Sequence, residues 1–164
     1  MIAIVCPGQG SQTPGFLSPW LELPGLRERA GALSDAAGVD LVMHGTTSDA
    51  DTIRDTAVAQ PLIVGAGLLA LEALYADRPD ALASSVWVVA GHSVGEITAA
   101  AATGVLTAQD AMNLVRPGGQ TLWVAGHMVS RYCDTDDHRY CRRSGERPEP
   151  GPRRLRSAVR WRLY

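Results

Sequence analysis

The chain has 164 residues, of which 46% are hydrophobic and 20% charged, with a formal net charge of −2. That is the size of one domain with a buried core; it excludes a wholly disordered polymer, and nothing in the overall charge points to nucleic acid. The longest uninterrupted apolar stretch, residues 61–71, falls short of a bilayer span, no basic segment opens the chain as in a secretory signal, and three cysteines without framework spacing fit a reducing compartment, so a cytoplasmic domain is expected.

Residues 2–6 form a short apolar run closed by Pro7-Gly8, which predicts a buried first strand. Gly8-Gln9-Gly10-Ser11-Gln12 then reads as a tight glycine-rich turn. Residues 19–38 carry a helical pattern (Leu23, Leu26, Ala30, Leu33) with Gly38 placed as its C-cap. After a polar stretch, a helix is predicted over residues 56–76. Its apolar residues (Val58, Leu62, Ile63, Val64, Leu68, Leu69, Leu71, Leu74) lie on all faces, as in a buried helix. Residues 86–90 are a continuous β-rich run, the pattern of a central parallel strand. They pass through a glycine-bounded turn into an alanine-rich helix over residues 96–103, ended by Gly104, and residues 110–115 begin another. Strand and helix alternate, so the class is α/β.

The turn after the second strand is Gly91-His92-Ser93-Val94-Gly95, a G-x-S-x-G. Between strand and helix this pattern makes a nucleophile elbow: the sharp turn lifts the serine Oγ out of the sheet, and the glycines let strand and helix approach closely. The amides opening the next helix face developing negative charge, which suits an oxyanion. An ordinary strand-to-helix turn is the alternative.

Gly91-His92-Ser93-Val94-Gly95-Glu96 together with Pro7-Gly8-Gln9-Gly10-Ser11-Gln12 resembles the malonyl-CoA:acyl carrier protein transacylases. Thr56-Ala57-Val58-Ala59-Gln60-Pro61 is similar to that family's intervening segment, so three motifs stand in family order over residues 1–115. The first strand at the chain's start matches the discrete enzyme of fatty-acid synthesis. The resemblance implies a partial hydrolase-like, three-layer α/β acyltransferase core with a parallel sheet. It further implies that Ser93 takes a malonyl group from coenzyme A and passes it to the phosphopantetheine thiol of acyl carrier protein, with no cofactor. The oxyanion hole would be the backbone N–H groups of Gln9 and Val94, and Gln60 and His92 match positions near the substrate pocket. Gln60 and His92 are equally compatible with ordinary polar roles, and a turn residue with a solvated side chain is the alternative for Gln9. The same elbow also serves thioesterases and esterases, although Pro7–Gln12 argues against them.

Two parts of the family pattern are missing. A serine nucleophile needs a general base, and the family's is a histidine far downstream, beyond a small inserted subdomain that residues 94–164 do not resemble. His92 adjoins the nucleophile, His44 falls in an apparent loop, and His127 and His138 lie near the C-terminus. None fits the role. The family's Arg-Gly pair, whose guanidinium would hold the malonyl carboxylate, aligns with Gly118-Gly119; Arg116 stands two positions early, ahead of Pro117. Weak or absent turnover of this chain is therefore expected.

The pattern breaks where the composition does. Residues 1–116 hold 5 Arg and 12 acids, residues 117–164 hold 10 Arg and 5 acids, and the chain contains no Lys. Between residues 134 and 157 the only large apolar side chains are Tyr140, Cys141 and Leu155, too few to offset the entropy of ordering. Residues 117–164 are thus read as a disordered, Arg-rich tail foreign to the family. Out-of-frame translation of G+C-rich DNA explains it best, and a native arm that binds an anionic partner is the rival. His127, Cys133, His138 and Cys141 have no familiar zinc spacing, and no metal site is read from them.

Overall fold

The computed structural model describes residues 2–75, Leu82, residues 85–117 and residues 129–130. Two strands organise it. β1 (Ile2–Cys6) and β2 (Val86–Gly91) run parallel, with Ile4 opposite Val89 and Cys6 opposite Gly91. A register irregularity near Ile2 pairs Ile2 with Val86 and Ala3 with Val88, leaving Trp87 as a bulged extra residue. A two-residue strand, β3 (Val129–Ser130), pairs antiparallel with β2 at Val89 and Ala90, so β2 is central as its apolar run predicts. The expected parallel sheet is present as the β1–β2 pair, and β3 adds a two-residue antiparallel partner on the other side of β2. The expected disorder of residues 117–164 otherwise falls outside the described residues.

The helices follow local signals closely. The pattern over residues 19–38 divides in two: a 3-10 turn (Trp20–Glu22), then α1 (Leu26–Ala37). Pro24, which lacks an N–H, and Gly25 at φ +78° separate them. Gly38 closes α1 in the left-handed conformation, its N–H donating to the Ser34 carbonyl at 2.8 Å, as predicted. A short α2 (Leu41–Thr46) follows, capped by Asp40, whose Oδ1 accepts the Met43 N–H at 2.8 Å. His44 therefore sits on a helix and not in a loop, with Nδ1 2.9 Å from the Ser48 hydroxyl.

α3 (Thr56–Tyr75) is the core helix. Asp55 caps it by accepting the Ala57 N–H at 2.8 Å, and Pro61 removes only one backbone bond near its start. By length and composition alone α3 is long enough to cross a membrane. In the fold it packs on α1 and α2, with Leu62, Val64 and Leu69 fully buried, each contributing about 1.5–3 kcal/mol by leaving water. The expectation of burial on every face fails at the C-terminal turn, where Leu74 is exposed.

α4 (Gly95–Ala102) and α5 (Ala108–Leu114) complete the described chain. Thr107 caps α5 by accepting the Asp110 N–H at 3.0 Å. The main core lies among α1, α2, α3 and α5; a smaller one joins Cys6, Val86 and Val89 of the sheet to Ala99 of α4. α4 packs on the strands against the face that carries Ile4, Cys6 and Val89, with Tyr75 at the end of α3 and Leu82 also against this smaller core.

Candidate active site

The turn between β2 and α4 has an elbow's geometry. Ser93 has φ +54°, the only non-glycine residue among those described in the left-handed region. Such backbone costs an L-residue about 1–3 kcal/mol and persists where the surroundings impose it. They do so here. The His92 N–H donates to the Cys6 carbonyl at 3.1 Å, the Gly95 N–H to the His92 carbonyl at 3.0 Å, and the Glu96 N–H to the Ser93 carbonyl at 2.9 Å. A Cβ on Gly91 would run into the Glu96 backbone, and one on Gly95 into the carbonyl oxygens of Cys6 and Pro7. Only glycine permits these approaches, which is the physical content of the G-x-S-x-G spacing. Ser93 is exposed at the crest of the turn, while Val94 and Glu96 are buried behind it.

The glycine-rich loop after β1 lies alongside. A Cβ on Gly8 would stand 2.7 Å from His92 Nδ1 and 3.5 Å from Ser93 Cβ. The loop is then tied to the start of α3: Gln9 Nε2 donates to the Arg54 carbonyl at 3.2 Å and to Thr56 Oγ1 at 3.4 Å. Gln12 Nε2 donates to the Ile53 carbonyl at 2.9 Å while its Oε1 accepts the Gly10 N–H at 2.8 Å. All three segments singled out in the sequence thus meet in one place. Gln60 follows Thr56 by one turn of α3 and is half-buried there. The backbone N–H groups of Gln9 and Val94 meet no acceptor among the described residues, and α4 directs its positive end toward Ser93.

Other side chains lie apart from this centre. Burial pushes the Cys6 thiol up from its ordinary 9.0 to about 11, so it is a poor nucleophile. Arg116 packs over Gly38 at the C-terminal end of α1, within 3.2 Å of where a Cβ would stand there. His44 is engaged with the Ser48 hydroxyl, away from Ser93. His127, His138, Cys133, Cys141 and the Gly118-Gly119 pair lie outside the described residues. Among the described residues no three His, Cys, Asp or Glu side chains cluster as a metal site would require. Sequence reasoning missed the structural part played by Gln12, Thr56 and the Arg54 carbonyl. The only available signal was that Gln12 belongs to the first motif.

An α/β core in which a glycine-rich loop flanks a strand–serine–helix elbow is the architecture of an acyltransferase. Over 119 residues the chain is 55% identical to the malonyl CoA-acyl carrier protein transacylase of Mycobacterium tuberculosis, covering 73% of this chain and 39% of that one. It also superposes on the crystal structure of MCAT from Mycobacterium tuberculosis with a TM-score of 0.64 and 55% identity, over 70% of this chain and 37% of the other. A malonyl-transacylase solved in complex with its type II polyketide-synthase acyl-carrier protein matches at 28% identity and a TM-score of 0.61, over 69% of this chain and 36% of that one. No family model matches the chain. The chain thus resembles the N-terminal portion of the malonyl-CoA:acyl carrier protein transacylases. The chain spans about two-fifths of the length of the curated relatives it matches.

Proposed function

We propose that this chain carries the nucleophile-bearing part of a malonyl transferase. The Ser93 hydroxyl attacks the thioester carbon of malonyl-CoA; the C–S bond breaks, coenzyme A leaves as its thiol, and the malonyl group stays as an ester on Ser93. The phosphopantetheine thiol of acyl carrier protein then attacks that ester, regenerating the serine hydroxyl. In both steps the tetrahedral oxyanion is held by the N–H groups of Gln9 and Val94, at the positive end of α4. His92 and Gln60 line the approach to Ser93 and contact the substrate. No cofactor or metal takes part, and the reaction belongs to fatty-acid synthesis in the cytoplasm. Residues 1–116 form the family portion and residues 117–164 a tail foreign to it.

The observation that carries this reading is the left-handed Ser93 between Gly91 and Gly95, with the Gly8 loop beside it. By its place in the sequence none of the histidines fits the general base, a function worth about 10²–10⁴ in rate, so acylation by the chain alone is slowed by that order.

The test is prolonged incubation with malonyl-CoA, followed by peptide mass spectrometry. A malonyl adduct on the Ser93 peptide, absent from Ser93→Ala and discharged by holo-acyl carrier protein, is the expected result. Adduct at another residue, or no adduct on Ser93 at saturating malonyl-CoA, overturns the reading. Release of free malonate without a carrier assigns the elbow to a thioesterase instead.

A further inference from the structure

The loop that carries Gln9 is held by a single turn of backbone. A 3-10 turn (Thr52–Arg54) precedes α3, and two of its consecutive carbonyls accept side chains of the loop. The Ile53 carbonyl accepts Gln12 Nε2 at 2.9 Å, and the Arg54 carbonyl accepts Gln9 Nε2 at 3.2 Å. Within the loop the Gly10 N–H donates to Gln12 Oε1 at 2.8 Å and Ser11 Oγ donates to the Gly8 carbonyl at 3.0 Å, so residues 8–12 are braced as one piece.

The turn itself is anchored on two sides. Ile53 is buried in the main core. Ahead of the turn stands Asp49, an exposed residue that meets both of its opening donors. The Thr52 N–H donates to Asp49 Oδ1 at 2.8 Å, and the Ile53 N–H donates to the Asp49 carbonyl at 3.2 Å. The Thr52 N–H also holds the Asp49 carboxyl below its ordinary 3.8, so the acceptor is ionised at neutral pH. The neighbouring carboxylates serve elsewhere, Asp51 on the Arg54 guanidinium and Asp55 on the Ala57 N–H.

We infer that Asp49 is a positioning residue for the oxyanion hole: by capping the turn it sets the two carbonyls that hold the loop, and through the loop the Gln9 N–H beside Ser93. The inference rests on the function reading above, in which that N–H is an oxyanion donor. Such a donor acts only at hydrogen-bond distance from the oxygen that gains charge, so a small displacement of the loop costs rate without weakening the binding of substrate.

The experiment follows acylation of Ser93 in the full 164-residue chain at neutral pH, by peptide mass spectrometry over a range of malonyl-CoA concentrations. Labelling of the same serine by a fluorophosphonate, which also places charge on an oxygen beside Ser93, is measured alongside. Asp49→Ala should lower the limiting rate of both reactions about three- to tenfold, with the half-saturating malonyl-CoA concentration unchanged and amide exchange at Gly10 quickened. Asp49→Asn, whose amide oxygen still accepts the Thr52 N–H, should match the parent in rate and in exchange. If Asp49→Ala unfolds, Asp49→Thr, a weaker cap, takes its place. An unchanged limiting rate, a change confined to the half-saturating concentration, or an Asp49→Asn variant as slow as Asp49→Ala overturns the proposal. Fluorophosphonate labelling without a malonyl adduct removes the function reading and leaves Asp49 to be judged on the labelling rates. A parent chain inert to both reagents overturns the proposal together with the reading it rests on.

Discussion

Gly95, the first residue of α4, touches the main chain of Cys6, the last residue of β1: a methyl group on Gly95 would overlap the Cys6 carbonyl oxygen. This contact brings the end of one parallel strand against the helix that follows the other. The loop leaving β1 consequently passes beside Ser93.

Gly95→Ala should therefore destabilise the fold by at least about 2 kcal/mol, since the blocking atoms are backbone and cannot rotate away. Gly31→Ala is the control: it lies within α1 with nothing near its Cβ position, and it should stabilise by about 0.5–1 kcal/mol through better helix propensity. Urea denaturation of the two variants in parallel checks the contrast.

Ser93→Gly separates strain from chemistry. Relief of the left-handed serine, about 1–2 kcal/mol, exceeds the extra unfolded-state entropy of glycine, about 0.5–1 kcal/mol. The variant should melt higher than the parent and accept no malonyl group. A lower melting temperature would show that the Ser93 side chain supports the turn.

Gln12→Ala removes both hydrogen bonds that the Gln12 side chain makes in the first loop, orphaning the Ile53 carbonyl and the Gly10 N–H. The expected loss is about 1–2 kcal/mol, with faster amide exchange at Gly10. Acylation of Ser93 should fall as well, because the same loop carries Gln9.

The Cys6 thiol gives a pH signature. Its pKa is about 11 in the fold against 9.0 for a free thiol, so the folded state holds the proton more tightly. The stability this contributes is fully present below pH 9 and is lost as the pH rises through about 11. At pH 8 alkylation of Cys6 should be on the order of a hundredfold slower in the folded chain than in urea, read by mass spectrometry of the N-terminal peptide.

How much was legible from sequence depended on how local each signal was. β1, α3, β2 and the Gly38 cap follow from apolar runs and glycine positions, and the structure places them within a residue of the predicted bounds, although β1, expected to be buried, has Ile2, Ala3 and Val5 exposed. α2 escaped notice because six residues containing Gly45 carry no clear period. It forms around the Asp40 cap, and Leu17 packs where a Cβ on Gly45 would stand. Leu74 followed the helical pattern into exposure because pattern records hydrophobicity and not whether a neighbour arrives.

The sequence by itself determined the chemistry on offer: a serine between glycines after a β-rich run, two glutamine-bearing motifs before it, and a break in composition near residue 116. Tertiary structure alone decided that these meet. Parallel pairing of β1 with β2 carries Gly8 to His92, and the side chains of Gln9 and Gln12 reach the start of α3. It also decided that Arg116 lies over the end of α1, and that Val5 and Trp87 stand exposed on the strands. The reason is physical: spacing along the chain sets which groups each element presents, but strand pairing and helix packing set the distances between elements.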